Sequence, residues 1–540
     1  MILATLYPYL RSTMAFAYGD VLGSTVAHQE LMRHAVKHGA VDRLWVFLDG
    51  VCEGGFHGAA IRGQVEKALN ELEAECGAGK TAIMASSALM EQRDWPATVL
   101  VSKAPGSIGL SQMRHAVTST RVPICSVVHS VMWRDLLGAY WSLLLLTDDC
   151  DAIVTTSSAG RSAVTDFMTQ ACDLLNRRAG ARLKPAMPII TIPLGVEDEF
   201  VGTGDKMAAR SALNIAADAV VILFIGRLSA RYKVDLDPLL LAFRQIADVR
   251  PDAVLVLAGH DLQGEAAPGL DRFVSDAGLF GRIRIVPNFP AFTKRLIYAA
   301  ADIFVSPVDN VQETFGISVL EAMAMGLPVV AADWSGYRDL VVHNETGFLV
   351  PTLYHPRAID LANAFASCSQ MNYCESLVAQ RTIVDPTQLW ERLSDLVREP
   401  ELRRTLGEAG RRRVTACFRW SHVIGQYQEL WNEQLRIAGT GTPAAGAGSI
   451  DYRSVITKYA TGMVEPEGLV QCTAPGRESL ERKRLVMLNQ PAPAIKEQAF
   501  EMLAACTDRP VRVRDLVNGG AGTEVDAVLW LLKKGLIARV

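Results

Sequence analysis

Six short apolar runs recur between Ile2 and Ile192: ILATL, LWVFL, TVLV, PICSVV, AIVTTS and PIITI. Amphipathic stretches separate them. Runs of this length read as strands and the stretches between them as helices, so the alternation predicts a doubly wound α/β domain. A Pro and a Gly then interrupt the pattern in IPLGVEDEF, Ile192 to Phe200, a candidate hinge. A second series follows: VVILFI, AVLVLA, RIRIVP, DIFVSP, PVVAAD and GFLVP. The fold class is therefore α/β, with two Rossmann-like doubly wound halves facing each other across a cleft at the carboxyl ends of their strands.

Beyond Thr387 the apolar and aromatic positions take up helical spacing, ending in RWSHVIGQYQELWNEQLRIA. GTGTPAAGAGS, Gly439 to Ser449, is a flexible linker by composition. The tail after it closes on VRVRDLVNGGAGTEVDAVLWLLKKGLIARV, which reads as short helix, Gly-rich turn, amphipathic helix and terminal strand. That order is compatible with a small winged-helix module, although its balanced charge favours a helical interaction or dimerisation appendage over a nucleic-acid binder. The division expected is 1–195 and 196–415 for the two halves, with 416–438 a helix packing back towards the first. Residues 439–450 form the linker and 451–540 a small, mainly helical accessory domain.

The length of 540 residues agrees with two or three cores. With 49% hydrophobic and 21% charged residues and a formal net charge of −4, the chain has the balance of a globular protein. Nothing in that balance marks a nucleic-acid or membrane coat. The start lacks a basic, cleavable leader, and WSLLLL is too short to span a bilayer. The ten cysteines form no CxxC pair. Reduced, buried thiols and a cytoplasmic location are the expectation.

Candidate chemistry gathers in the second half. FIGRLSARYK places Arg227, Arg231 and Lys233 in a loop at a strand's carboxyl end, where such sheets bind ligands. An arginine fork and a lysine point charge suit a diphosphate. ETFGISVLEAMAMGLPVVAAD, Glu313 to Asp333, reads as a loop, a helix from Gly316 to Met325 and a strand. Amides of Phe315, Gly316 and Ile317 at the helix start would face the cleft and donate to anionic oxygens, with Gly316 allowing close backbone approach. Glu321 is the only charge between Gly316 and Gly326. An unpartnered carboxylate costs several kcal/mol to bury, so Glu321 either points outward through a gap in the packing or faces a cleft where hydroxyls or cations meet it. A diphosphate with hydroxyl-accepting carboxylates on either side describes a nucleotide sugar.

The Glu, seven residues, Glu arrangement, preceded by GRLSARYK, resembles the GT-B glycosyltransferases of family four. The likeness runs from Met1 to about Ala438 and is most specific between Gly226 and Val350. It implies that Arg227 and Lys233 hold the donor diphosphate, Glu313 the hydroxyls of the transferred sugar, and Glu321 the ribose diol. It also implies that His129, at the end of VPICSVVHS, faces the donor sugar. The activity implied is metal-independent transfer from a nucleoside diphosphate sugar, with retained configuration, no covalent nucleophile and no cofactor. The acceptor is left open, as are the donor's base and sugar, although the VPNFP segment is where base recognition is expected. The tail could hold a protein partner.

Two features depart from that pattern. Val234 and Asp235 follow Lys233 where the family has Gly, and YPYLRSTMAFAYGDVLGS offers only Gly19 and Gly23 for backbone contact with phosphates. Trp133, Tyr140 and Trp141 read as packing residues. Asp149 and Asp151 in TDDCD have a metal-binding spacing but read as a solvated turn, and the sequon at Asn344 carries little weight without a leader. Two further readings share the architecture: a sugar-nucleotide epimerase, and a nucleotide-sugar sensor reporting through its tail.

Overall fold

The computed structural model describes residues 1–6, 23–39, 41–48, 55–77, 79–85, 95–103, 110–111, 114, 120–131, 140, 143–144, 146–184, 187–230, 233–261, 264, 266–354, 378–441, 464–484, 493–517 and 522–540. Gly19, Arg231, Trp133, Trp141 and most of the linker lie outside these residues.

The first half is a seven-stranded parallel sheet in the order β3-β2-β1-β4-β5-β6-β7. Its strands are β1 (Ile2–Leu6), β2 (Arg43–Leu48), β3 (Thr81–Ala85), β4 (Thr98–Lys103), β5 (Ile124–Val128), β6 (Ala152–Thr155) and β7 (Ile189–Thr191). Helices α1 (Gly23–Lys37), α2 (Gly55–Cys76) and α3 (Ser158–Ala179) belong to this half. The apolar runs lie in six of these strands. The seventh, β3, is an edge strand whose TAIMA mixes small and apolar residues too briefly to stand out.

The second half repeats the topology with six strands, ordered β10-β9-β8-β11-β12-β13. They are β8 (Val220–Ile225), β9 (Ala253–Gly259), β10 (Ile283–Pro287), β11 (Ile303–Ser306), β12 (Val329–Ala332) and β13 (Gly347–Val350). All six residues of β8 are buried, as expected of a parallel strand covered on both faces. The helices are α4 (Lys206–Ala212), α5 (Asp237–Val249), α6 (Ala266–Asp276), α7 (Lys294–Ala300), α8 (Ile317–Ala324), α9 (Tyr337–Leu340), α10 (Pro386–Arg398) and α11 (Pro400–Cys417). Leu239, Leu240, Phe243 and Ile246 line the buried face of α5, a 3.6-residue pattern. Asp385 caps α10 by accepting from the amides of Thr387 and Gln388, just ahead of Pro386. A two-stranded ribbon, β14 (Thr352–Tyr354) with β15 (Thr382–Val384), is separate from both large sheets.

Two crossings join the halves side by side. In the first, the Val196 amide donates to Phe418 O at 2.9 Å. A Cβ on Gly195 would fall 2.4 Å from the Trp420 ring, so only glycine fits there. The second crossing continues into α12 (Trp420–Thr440), which packs on α1 and β4 of the first half. There Gln434 donates to Ile124 O and Cys150 O, at 3.1 and 3.0 Å.

The tail forms its own core around Val470, Leu503, Val528 and Leu531, with no residue of either large sheet in that cluster. Its elements are β16 (Leu469–Cys472), α13 (Ala474–Glu481), α14 (Pro493–Ala505), β17 (Val511–Arg512), α15 (Val513–Leu516), α16 (Gly522–Lys533) and β18 (Ile537–Arg539). The sheet is antiparallel, ordered β17-β16-β18. Among the described residues no helix is long and apolar enough to cross a membrane.

Candidate functional site

β8 and β11 are neighbours, although the chain order reverses between them. Loops leaving two such strands diverge to opposite faces of the sheet and open a crevice at the strands' carboxyl ends. Arg227 and Lys233 follow β8; Glu313 follows β11. Lys233 Nζ and the Glu313 carboxylate form an ion pair there, and Arg227 Nη2 lies 3.4 Å from Gln312 Oε1. Burial opposes the Glu313 charge, but Lys233 and the Phe315 amide outweigh it and hold the carboxyl below its usual range.

The start of α8 differs in two ways from the sequence expectation. The Phe315 amide, expected to face a ligand, donates to Glu313 Oε1 at 3.3 Å and so fixes that carboxylate. Gly316 precedes α8 as its N-cap with φ +105°, and a Cβ there would lie 2.2 Å from Tyr337 Cε1. The close neighbour that requires glycine is thus the Tyr337 ring. The Tyr337 hydroxyl reaches Ser306 Oγ at 2.7 Å and a Glu313 oxygen at 3.4 Å. Ile317 is the first residue of α8.

Glu321 is 6% exposed. Its two oxygens accept from Lys294 Nζ at 2.6 Å and the Tyr298 hydroxyl at 2.8 Å. These two partners are what make a carboxylate tolerable on a helix that is otherwise uncharged. Lys294 also stands 5.7 Å over the Phe200 ring, at the end of the first crossing.

From the first half, His129 follows β5. Its carbonyl accepts from Thr314 Oγ1 at 2.8 Å, which brings the two halves together one residue from Glu313. Burial, then the charge of Lys103, lowers the His129 pKa to about 3, so the ring is neutral. His28 stands edge-on to it with ring centroids 6.4 Å apart, and His28 Nε2 is 3.3 Å from Thr5 Oγ1. Burial lowers Lys103 to about 8. Lys103, a cation ending a strand, was legible by the same rule as Lys233 but was missed; His28 on α1 had no local signal. Gly23 is the first residue of α1.

The TDDCD segment is a turn that is solvated only in part: Asp149 is exposed, whereas Asp151 is not. Asp151 is 2% exposed and pairs with both terminal nitrogens of Arg114, at 2.6 and 3.0 Å. It also accepts from the amides of Ile124 and Asp148, both at 2.8 Å. Asp151 thus braces β5 and is occupied by a guanidinium, while Asp149 pairs with Arg121. Ligand atoms of Glu30, His34 and Glu197 lie within 4.8 Å of one another. Arg33 already supplies a cation there, 3.0 Å from Glu30 and 3.6 Å from Glu197.

Residues 205–372 match the family model described as glycosyl transferases group 1. A D-inositol 3-phosphate glycosyltransferase of Mycobacteroides abscessus is 37% identical over 161 residues, 29% of this chain and 34% of that protein. The protein of the same name from Thermobispora bispora is 29% identical over 46% of this chain and 52% of its own length. The chain therefore spans between about a third and a half of these curated relatives. Among solved structures, sucrose-phosphate synthase from Thermosynechococcus elongatus superposes with a TM-score of 0.52 at 19% identity, covering 81% of this chain and 99% of that one. Anabaena HepE, solved with UDP and glucose, gives 0.54 at 16% identity, covering 80% and 99%. These likenesses identify the two-sheet architecture.

Proposed function

We propose that this chain, whose residues 205–372 match the model described as glycosyl transferases group 1, is a GT-B glycosyltransferase that moves a sugar from a nucleoside diphosphate sugar to an acceptor with retained anomeric configuration. The observation that carries the reading is the set Arg227, Lys233 and Glu313, assembled at the reversal point between β8 and β11.

As the bond to the sugar breaks, negative charge grows on the leaving diphosphate. Arg227 and Lys233 are fixed cations at that point, and preorganised charge of this kind stabilises the transition state without reorganising. The same two side chains fill the role that a metal ion fills elsewhere, so the transfer is proposed to be metal-independent. When a diphosphate takes Lys233, the Glu313 carboxylate, still held by Phe315 and Tyr337, is released to accept from sugar hydroxyls. Glu321 is proposed to accept from the ribose diol in exchange for one of its present partners. His129, neutral and tied to Thr314, is positioned to hydrogen-bond the sugar, and closure of the halves excludes water that would hydrolyse the donor. Gly23 at the start of α1, and Gly19, are proposed as backbone contacts of the donor.

A thermal-shift panel of nucleoside diphosphate sugars tests this. A ligand at a hundred times its Kd stabilises by about 2.7 kcal/mol, and the sugar nucleotide that does so identifies the donor. Transfer is then followed with acceptors added. Donor turned over only into an epimer, with no acceptor needed, would replace transfer by epimerisation.

A further inference from the structure

The loop after β8 and the loop after β11 are tied at three points. Arg227 meets Gln312, Lys233 meets Glu313, and the amide of Asp235 donates to Asp309 Oδ2 at 3.4 Å. The third tie differs from the others. Asp309 is 6% exposed, and among the described residues its Oδ1 has no hydrogen-bond partner. It is therefore a buried acid with one oxygen on a backbone amide and the other enclosed, three residues after Ser306 ends β11 and four before Glu313. The residue it holds is Asp235, two positions after Lys233 in the loop that carries both cations.

We propose that Asp309 is a positioning residue for the donor, its carboxyl fixing, through the amide of Asp235, the loop that presents Arg227 and Lys233 to the diphosphate. This inference rests on the glycosyl-transfer reading above.

The charges around Asp309 set how the device responds to pH. Burial raises its carboxyl to about 7, opposed by the amides of Asp235 and of Asp309 itself, with the like charge of Asp235 adding a smaller rise. The cations on the facing loop, Arg227 and Lys233, are turned to Gln312 and Glu313. Asp237, at the start of α5, is itself raised by burial and by Asp235. The acid is therefore neutral below about pH 7 and gains a negative charge above it. A third carboxylate charge beside Asp235 and Glu313 opposes a diphosphate, so the neutral form is the one that receives the donor.

The test uses the full chain. Kd for UDP, GDP and ADP is measured by calorimetry, and donor KM and kcat by turnover, from about pH 6 to about pH 9. In the wild type, affinity for the nucleoside diphosphate falls as pH rises through about 7 and levels off once the carboxyl is fully ionised. D309N keeps an acceptor for the Asp235 amide and never ionises, so its profile lacks that fall; the ligand's own ionisation is common to both proteins. D235N removes the like charge, and the fall moves to lower pH. D309A raises donor KM about tenfold or more at every pH, with a smaller change in kcat.

Coincident wild-type and D309N profiles, or D309A binding with wild-type affinity, overturn the proposal while leaving glycosyl transfer intact. A wild type that binds none of the three nucleotides overturns both. Should D309A not fold, the D309N and D235N profiles still decide.

Discussion

Lys233 and Glu313 are ion-paired across the mouths of two adjacent strands, with side chains 18% and 12% exposed. They are 80 positions apart in the chain, and they were assigned separate tasks on sequence grounds, one at the diphosphate and one at the sugar. Their contact means that each tunes the other. K233A should lower turnover by roughly 10²–10³-fold, the scale for losing one preorganised electrostatic group. It should also raise the Glu313 pKa, because Lys233 depresses it more than the other charge there, Arg227. Activity requiring the Glu313 anion is present above its pKa and lost as pH falls through it, so the acid limb of kcat/KM against pH should move upward in K233A. An unmoved acid limb would separate the two residues.

Glu321 has Lys294 and the Tyr298 hydroxyl on its two oxygens. E321A leaves a lysine and a buried tyrosine hydroxyl without that acceptor, so it should destabilise by about 1–3 kcal/mol as well as weaken donor binding. E321Q retains an acceptor and restores most of the stability. Denaturant melts alongside donor KM distinguish the two effects: a loss of stability in E321A with unchanged donor KM in both variants would assign Glu321 to structure alone.

Arg114 and Asp151 form a buried bidentate pair, each 2% exposed. Removing one partner of such a pair leaves an uncompensated charge, and R114A should cost about 3–5 kcal/mol. Added divalent cations should leave the stability and turnover of the wild type unchanged, since Asp151 is already occupied. A Mn²⁺-dependent rise in turnover that D151N abolishes would reverse the assignment.

Ser158, the first residue of α3, donates its amide and its hydroxyl to Asp339 of the other half, at 2.6 and 2.5 Å. A carboxylate at a helix N-terminus is favourable by about 0.3–1 kcal/mol at an exposed position. D339N should therefore shift the balance between closed and open halves by up to about fivefold, with little change in melting temperature. Small-angle scattering with and without nucleoside diphosphate reads the change; identical scattering curves would remove Asp339 as a closure contact.

The tail's buried cluster contains residues of the tail only. Among the described residues, the main core cluster of the two large domains has no member beyond residue 450, so a chain ending there removes none of it. Such a chain should keep donor binding and the melting transition of those domains. Loss of donor affinity in that truncation would place the tail in catalysis.

The strands of both halves were legible because a buried parallel strand is an uninterrupted apolar run, as VVILFI of β8 shows with every residue buried. β3, the short ribbon and the tail strands β16 and β17 escaped, where mixed or two- to four-residue segments carry little periodicity, whereas the terminal strand β18 was legible. The cations after β8, and the need of Glu321 for partners, were also local facts, one about where a strand ends and the other about the neighbours along a helix.

Partnership is of another kind. That Asp151 holds Arg114, Lys233 holds Glu313, the Phe315 amide is engaged by Glu313, and Gly316 makes room for Tyr337 follows from where separate elements come to rest. Periodicity along the chain records which face of an element is buried. The identity of the group it meets there depends on strand order and on the docking of one half against the other, so TDDCD read as an exposed turn until β5 and Arg114 were seen around it. The chain alone determined which charged residues stand at strand ends and on buried helices, the ones proposed to bind a diphosphate and its sugars; the tertiary structure decided which charges neutralise one another, because electrostatic pairing acts over a few ångströms of space whatever the distance along the sequence.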